Sequence, residues 1–197
     1  LLHCVQAIVE ACACSPRVDN LLLRLVTFND RVTEIHGFRP LVDLKPETYA
    51  PFQPRGMTAL YDAAYSAVGA TLSYARRLTD QDFDVNAAVY ILTDGLDNRS
   101  ATSPGMIADL VAAALGGEEI ESMITVLVGL TDPGDGDHGT VGPALEAFRK
   151  QARLDSCVNV GQATPETLAR LARFVTHSIA LQSRALGTGS AAVSLNF

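Results

Sequence analysis

The stretch from Ala87 to Asn98, AAVYILTDGLDN, constrains the fold of this chain most strongly. Its first half is almost wholly apolar and rich in β-branched and aromatic residues, which is typical of a strand buried on both faces in a parallel sheet. The run then stops on Thr93, Asp94 and Gly95. Open α/β sheets bind ligands at the carboxyl ends of their strands, so Asp94 is well placed for a functional role. Because Asp-Gly is also a common turn pair, a simple turn is the equal alternative.

Composition indicates one globular domain. The chain has 197 residues, 48% of them hydrophobic, which is enough for a sizeable core. The net charge of -7 and the pI near 5.0 argue against a general nucleic-acid or anionic-membrane surface. No apolar run is long enough to cross a membrane, and a leader segment is left open because the chain begins with Leu1.

The four cysteines are Cys4, Cys12, Cys14 and Cys157. None of them forms the CxxC pairs that are typical of a zinc site. We therefore expect free thiols in a reducing compartment, and a cytoplasmic location for the protein.

Hydrophobic spacing predicts that helices and strands alternate from Leu21 to Ser183. The helices are expected at Leu1–Cys14, from a Thr58 cap to about Leu78, at Pro104–Leu115, at about Pro143–Arg153, and from a Thr164 cap to about Ser183. The strands are expected at Leu21–Phe28, Val32–Phe38, Ala87–Leu92, Met123–Gly129 and Cys157–Val160. This order predicts an α/β three-layer sandwich with a mainly parallel sheet, in which an early hairpin places one antiparallel strand at an edge. We expect a single domain over residues 1–183 and a flexible tail over 184–197.

Two polar loops stand out in this order. Gly56-Met57-Thr58 precedes a predicted helix in the run GMTALYDA, and Thr93-Asp94-Gly95 follows a buried strand in the run TDGLDN. With this pair of motifs the chain resembles the von Willebrand factor type A (vWA) domains over nearly its whole length. It looks most like small bacterial cytoplasmic members, including those associated with tellurite resistance.

The resemblance implies a metal-ion-dependent adhesion site built from three loops. Thr58 matches the threonine of the second loop, and Asp94 matches the aspartate of the third loop. The implied ion is Mg²⁺, with Mn²⁺ or Ca²⁺ as alternatives, and hard cations of this kind prefer oxygen ligands. The implied partner is a protein that offers an acidic residue to the ion, and the oligomeric state stays open.

The chain departs from the family pattern in one respect, because it contains no Asp-x-Ser-x-Ser motif. In the family this motif ends the central first strand of the sheet, just before the helix with which this chain opens. Since buried strands without a neighbour leave backbone groups unpaired, we expect residues upstream of Leu1 to supply that strand. A degenerate member that binds no metal, or a strand supplied by another chain, are the alternatives.

Several residues close to the two loops are further candidates. Asp62, Asp97 and Asn98 could orient water molecules around an ion, or could simply face solvent. The loop glycines Gly56 and Gly95 belong to the same candidate set. Asn29 and Asp30 also follow a strand, and their pattern favours a hairpin turn.

Other motifs in the chain are weak. The loop Thr131–Gly139 is acidic and glycine-rich, but it fails the EF-hand pattern after its third position. No HExxH motif and no GxSxG elbow occurs. The resemblance implies a non-enzymatic, metal-dependent interaction domain in a bacterial stress or tellurite-resistance-type complex. The alternatives are a metal-assisted phosphohydrolase that uses Asp94, and a metal-free scaffold.

Overall fold

The predicted alternation of helices and strands is present in the structure. The computed structural model describes residues 2–15, 18–51, 56–116, 120–130, 138–161 and 164–185. Within them the helices are α1 (Leu2–Ala13), α2 (Leu60–Thr79), α3 (Pro104–Gly116), α4 (His138–Gln151) and α5 (Pro165–Ala185). The strands are β1 (Leu22–Phe28), β2 (Val32–Pro40), β3 (Asn86–Thr93), β4 (Ser122–Leu130) and β5 (Ser156–Gly161).

The strands form two sheets. β3, β4 and β5 are parallel, in the order β3-β4-β5, and β3 pairs with β4 in register from Asn86 opposite Ser122 to Thr93 opposite Gly129. β1 and β2 form a separate antiparallel hairpin. The α/β class predicted from the sequence is confirmed, and the early hairpin is indeed the antiparallel part of the fold.

Helices cover the parallel sheet on both faces. Along β3, Val89 and Ile91 belong to one buried cluster with residues of α2, α3 and α4. Tyr90 and Leu92 alternate with them and pack against a second cluster that contains residues of α1 and α5. Since side chains alternate between the two faces of a strand, these clusters lie on opposite faces and define three layers.

The carboxyl ends of β1 and β3 lie at the same edge of the fold. The carbonyl of Asn29, directly after β1, accepts the N–H of Ala59 at 2.6 Å. The preceding residue, Thr58, lies against the loop that follows β3, because its hydroxyl would be 3.5 Å from a Cβ built on Gly95. The two strands therefore end beside each other at the start of α2, which contacts both of them.

Within the described residues, β1 and β3 each pair along one edge only, β1 with β2 and β3 with β4. The strands also differ in how deeply they are buried. β4, which has a neighbour on each side, is buried from Met123 to Leu130, whereas Leu23 to Phe28 of β1 are only partly buried. Helix α2 packs against both strands.

Two local predictions, the start of α4 and the cap of α2, need correction. Helix α4 begins at His138 and carries Pro143 inside it, so it does not start at that proline. The N-cap of α2 is Ala59 and has no side-chain cap hydrogen bond, so Thr58 is not the cap. Helix α5 ends at Ala185, close to the predicted end at about Ser183.

Other predictions hold, or lie outside the described residues. Thr164 caps α5, since its hydroxyl accepts the N–H of Thr167 at 3.2 Å. Cys4, Cys12, Cys14 and Cys157 are free thiols, as expected. The acidic loop at residues 131–137 and the tail at residues 186–197 lie outside the described residues. Among the helices of the described chain, none has the length and apolar character needed to cross a membrane.

Candidate functional site

The two loops that carry Thr58 and Asp94 lie side by side at the carboxyl edge of the fold. The Thr58 hydroxyl is 3.5 Å from the position of a Cβ on Gly95, the residue after Asp94. Neither the Thr58 hydroxyl nor the Asp94 carboxylate makes a hydrogen bond to another described residue. The structure therefore brings the two predicted ligand loops together and leaves both oxygen groups open to other ligands.

The turn after β3 directs Asp94 outward. Thr93, the last residue of β3, is buried, and its hydroxyl donates to the Gly95 carbonyl at 2.8 Å. The same hydroxyl accepts the N–H of Gly95 at 3.2 Å. Asp94 lies one residue beyond the end of β3 and is exposed, whereas Thr93 is buried.

Asn98 joins the two loops. Its side-chain oxygen accepts the N–H of Thr58 at 2.7 Å, and its own N–H donates to the Thr58 carbonyl at 3.0 Å. Both polar groups of the Thr58 backbone are thus bonded to one residue of the other loop. Asn98 acts on this loop through the backbone of Thr58, and the Thr58 hydroxyl is left unbonded to it.

Asp97 and Ser100 hold the first turn of α2. An Asp97 carboxylate oxygen accepts the N–H of Tyr61 at 3.2 Å and the Ser100 hydroxyl at 2.5 Å. The Ser100 hydroxyl oxygen in turn accepts the N–H of Asp62 at 3.0 Å. The first-turn N–H groups of a helix lack intrahelical partners, so this loop satisfies two of them in place of a conventional cap.

Asp62, in the first turn of α2, forms a further link to the loop that follows β3. Its two carboxylate oxygens accept the N–H groups of Thr102 at 2.9 Å and Ala101 at 3.2 Å. Burial acts to raise the pKa of the Asp62 carboxyl, but the hydrogen bonds from Thr102 and Ala101 outweigh it and hold the pKa below its usual value. The ionised carboxylate of Asp62 therefore binds the loop that follows β3.

The remaining candidates have local roles. Gly56 is exposed and adopts a φ of 88°, a left-handed conformation that glycine tolerates best. Asn29 forms the expected hairpin turn, since its side-chain oxygen accepts the N–H of Arg31 at 3.2 Å. Its carbonyl also holds Ala59 beside the site, as described above. Sequence analysis missed this contact and the role of Ser100, because a backbone carbonyl and a lone serine carry no distinctive sequence signal.

The donors present suit a hard cation. Within the described residues, no three His, Cys, Asp or Glu side chains form a group that could hold a metal ion. The open donors are instead one carboxylate, Asp94, and one hydroxyl, Thr58. Oxygen donors of this kind fit Mg²⁺, which commonly keeps several water ligands and uses one or two protein carboxylates.

No protein-family model, curated protein or solved structure matches the chain. The site is therefore characterised by its own geometry. That geometry consists of two open oxygen groups on adjacent loops. Backbone hydrogen bonds to Asn98, Asp97 and Asp62 fix the two loops relative to each other. These bonds fix the backbones that carry the Thr58 hydroxyl and the Asp94 carboxylate.

Proposed function

We propose that this chain is a vWA-type interaction domain that binds protein partners through a divalent cation. Thr58 and Asp94 would hold the ion, with Mg²⁺ as the first choice and Mn²⁺ or Ca²⁺ as alternatives. The observation that carries the proposal is the placement of the open Thr58 hydroxyl against the loop of Asp94. The sequence motifs GMT and TDG, in this order on an α/β fold, support it.

The donor set also favours an acidic partner. A single carboxylate and a neutral hydroxyl leave a divalent cation with excess positive charge. When bound, the ion would supply a coordination position that a carboxylate from another protein can occupy. Asp94 and Thr58 would orient the ion, and Asn98 would fix the distance between their loops.

The open edges of β1 and β3 further support the proposal. A strand placed between them in the same direction would end beside Thr58 and Asp94, where both neighbouring strands end. The ligands expected from an Asp-x-Ser-x-Ser loop would then be close to the two described ones. Such a strand would also pair with the second edges of β1 and β3.

Thermal melting of the full-length protein tests the proposal. The protein is melted in EDTA and then with added Mg²⁺, Mn²⁺ or Ca²⁺. A ligand at a hundred times its dissociation constant adds about 2.7 kcal/mol to stability, which for a domain of this size raises Tm by roughly 5–10 °C. We expect that rise to disappear in Asp94→Ala and to persist in Asp109→Ala, which removes an exposed aspartate of α3.

A second pair of variants tests the contribution of the Thr58 hydroxyl without changing the backbone bonds of Thr58. Thr58→Ala removes the ligand oxygen, whereas Thr58→Ser keeps it, and the backbone bonds to Asn98 are available to both. We expect the metal response to weaken in the first variant only. The absence of any metal response in the parent protein would overturn the proposal and leave a metal-free scaffold. Turnover of a generic phosphoester that is lost in Asp94→Ala would instead identify a phosphohydrolase.

A further inference from the structure

Asn159, near the end of β5, is exposed at the carboxyl edge of the parallel sheet. Its side chain makes no hydrogen bond to a described residue. A primary amide has two N–H donors and a carbonyl oxygen that accepts. Asn159 is therefore an open polar group of this edge, and the proposed metal site does not use it.

Two glycines make room for the Asn159 side chain. A Cβ on Gly129 would be 2.6 Å from the Asn159 Oδ1, and a Cβ on Gly142 would be 3.2 Å from the Asn159 Nδ2. Gly129 belongs to β4, and Gly142 lies in the first half of α4. The amide therefore lies between β4 and α4, in a space that a side chain at Gly129 would fill.

The strand register shows in which direction this amide extends. Thr93 pairs with Gly129, and Gly129 pairs with Asn159, so the three residues form one row across β3, β4 and β5. Because the Asn159 Oδ1 lies against Gly129, the middle residue of the row, the amide extends from β5 towards β3. Asp94 directly follows Thr93 and is also exposed. Since neighbouring strands are about 4.8 Å apart, the backbones of Thr93 and Asn159 are separated by about 10 Å.

We propose that Asn159 binds a main-chain amide of the protein partner, and that this part of the partner crosses the ends of β3, β4 and β5 in an extended conformation. This inference rests on the proposed function and specifies how the partner lies on the edge. A peptide group offers one donor and one acceptor, and the primary amide of asparagine can pair with both. Because an extended chain advances about 3.3 Å per residue, the peptide group at Asn159 would be about three residues from the one beside Asp94.

Peptides in which one amide is replaced by an ester are the probes, because an ester lacks the N–H donor. The unmodified peptide is acetyl-Gly-Ala-Ala-Ala-Asp-Ala-Ala-Ala-Gly-amide, and each variant peptide carries one ester at a different position on either side of the aspartate. Each peptide is titrated into the full-length protein in saturating Mg²⁺, and binding is followed by NMR. The side-chain NH₂ signal of Asn159, assigned by its absence in Asn159→Ala, reports on the contact directly.

We expect Asn159→Ala to bind the unmodified peptide about fivefold more weakly, which is the usual net contribution of one hydrogen bond. One ester position should weaken binding to the parent protein by a similar factor and should have no further effect in Asn159→Ala, because the two changes remove the same bond. Gln151→Ala is the matched control, since it removes an exposed amide at the other end of α4 and should leave binding unchanged.

Melting of Asn159→Ala in EDTA tests a purely structural role. Because the amide makes no hydrogen bond to a described residue, Tm should stay within about 2 °C of the parent value. A much lower Tm would show that the amide holds β4 and α4 together, and would overturn the inference.

The outcomes separate this inference from the proposed function. If Mg²⁺ raises Tm but no peptide binds, or every peptide binds equally to the parent protein and to Asn159→Ala, the amide contact is refuted and the metal site stands. If Mg²⁺ has no effect on Tm, and one ester position still depends on Asn159 in EDTA, the proposed function is refuted and the amide contact stands.

Discussion

Asn98 bonds both backbone polar groups of Thr58, with its side-chain oxygen 2.7 Å from the Thr58 nitrogen and its own nitrogen 3.0 Å from the Thr58 carbonyl oxygen. The two residues are 40 positions apart in the sequence, so this contact fixes the loop before α2 against the loop after β3. The position of the Thr58 hydroxyl relative to Asp94 therefore depends on a residue that does not itself offer an oxygen to the site.

Replacement of Asn98 by alanine should loosen this link. The variant loses the acceptor for the Thr58 N–H, and a hydrogen bond of this kind contributes about 1 kcal/mol. We expect Tm in EDTA to fall by roughly 2–4 °C and the stabilisation by Mg²⁺ to shrink. Asn98→Asp keeps an acceptor oxygen at the same position and should retain most of the stability. Equal melting of the alanine variant and the parent protein would show that this bond is not needed to hold the loop.

Asp62 should make stability depend on pH in the acid range. Its folded-state pKa lies below the usual value, so the carboxylate stabilises the fold at every pH above its unfolded-state pKa, near 3.8. This contribution is lost as the pH falls through the folded-state pKa. Asp62→Asn lacks the titrating group, so the stability difference between parent and variant should be largest near pH 6 and should narrow below about pH 3.8.

Urea unfolding at pH 6 and at pH 2.5 measures the effect of Asp62. Asp62→Ala should cost more than Asp62→Asn at pH 6, because it leaves the N–H groups of Thr102 and Ala101 without a side-chain acceptor. Removal of hydrogen bonds to a charged acceptor lowers the free energy of unfolding by about 1.5–3 kcal/mol. A stability difference between parent and Asp62→Asn that is the same at both pH values would contradict the linkage.

Gly129, near the end of β4, lies too close to its neighbours to carry a side chain. A Cβ there would be 2.6 Å from the Asn159 Oδ1 and 2.6 Å from a methyl carbon of Leu145. Because Leu145 is buried, it has little room to move, and Gly129→Ala should cost about 1–3 kcal/mol. Gly37→Ala is the matched control, since its nearest contact would be an ordinary 3.7 Å. Denaturant midpoints measure both, and a Gly129→Ala midpoint equal to that of the control would refute the crowding.

The buried strands were the most predictable part of the fold. Ala87–Leu92 and Met123–Gly129 are apolar runs of strand length, and both are strands in the structure. The start of α4 was not predictable in the same way. Proline is common in the first turn of a helix, so Pro143 suggested a start there, whereas the helix begins at His138 and includes the proline at the cost of one internal hydrogen bond.

The site was predictable only in part. Thr58 and Asp94 could be named because each lies in a short motif next to an element boundary. The function of Asn98 could not, because its bonds depend on how two distant loops pack. Thr58 itself was given the role of helix cap from local sequence preference, whereas Asp97 and Ser100 of the other loop satisfy that helix end. Tertiary contacts here override the local signal.

A substitution at Gly95 tests metal binding at the site separately from the stability of the fold. A Cβ at this position would be 3.5 Å from the Thr58 hydroxyl, which is an ordinary van der Waals contact, so Gly95→Ala should fold normally. The added methyl group would, however, cover one side of that hydroxyl. We expect Tm in EDTA to stay within about 2 °C of the parent value, because surface changes of this size alter stability by less than about 0.5 kcal/mol. The Mg²⁺-dependent rise in Tm should be smaller. An undiminished rise would show that the cation does not use the face of Thr58 that lies towards Gly95, and a lower Tm in EDTA would show that the methyl group disturbs the loop itself.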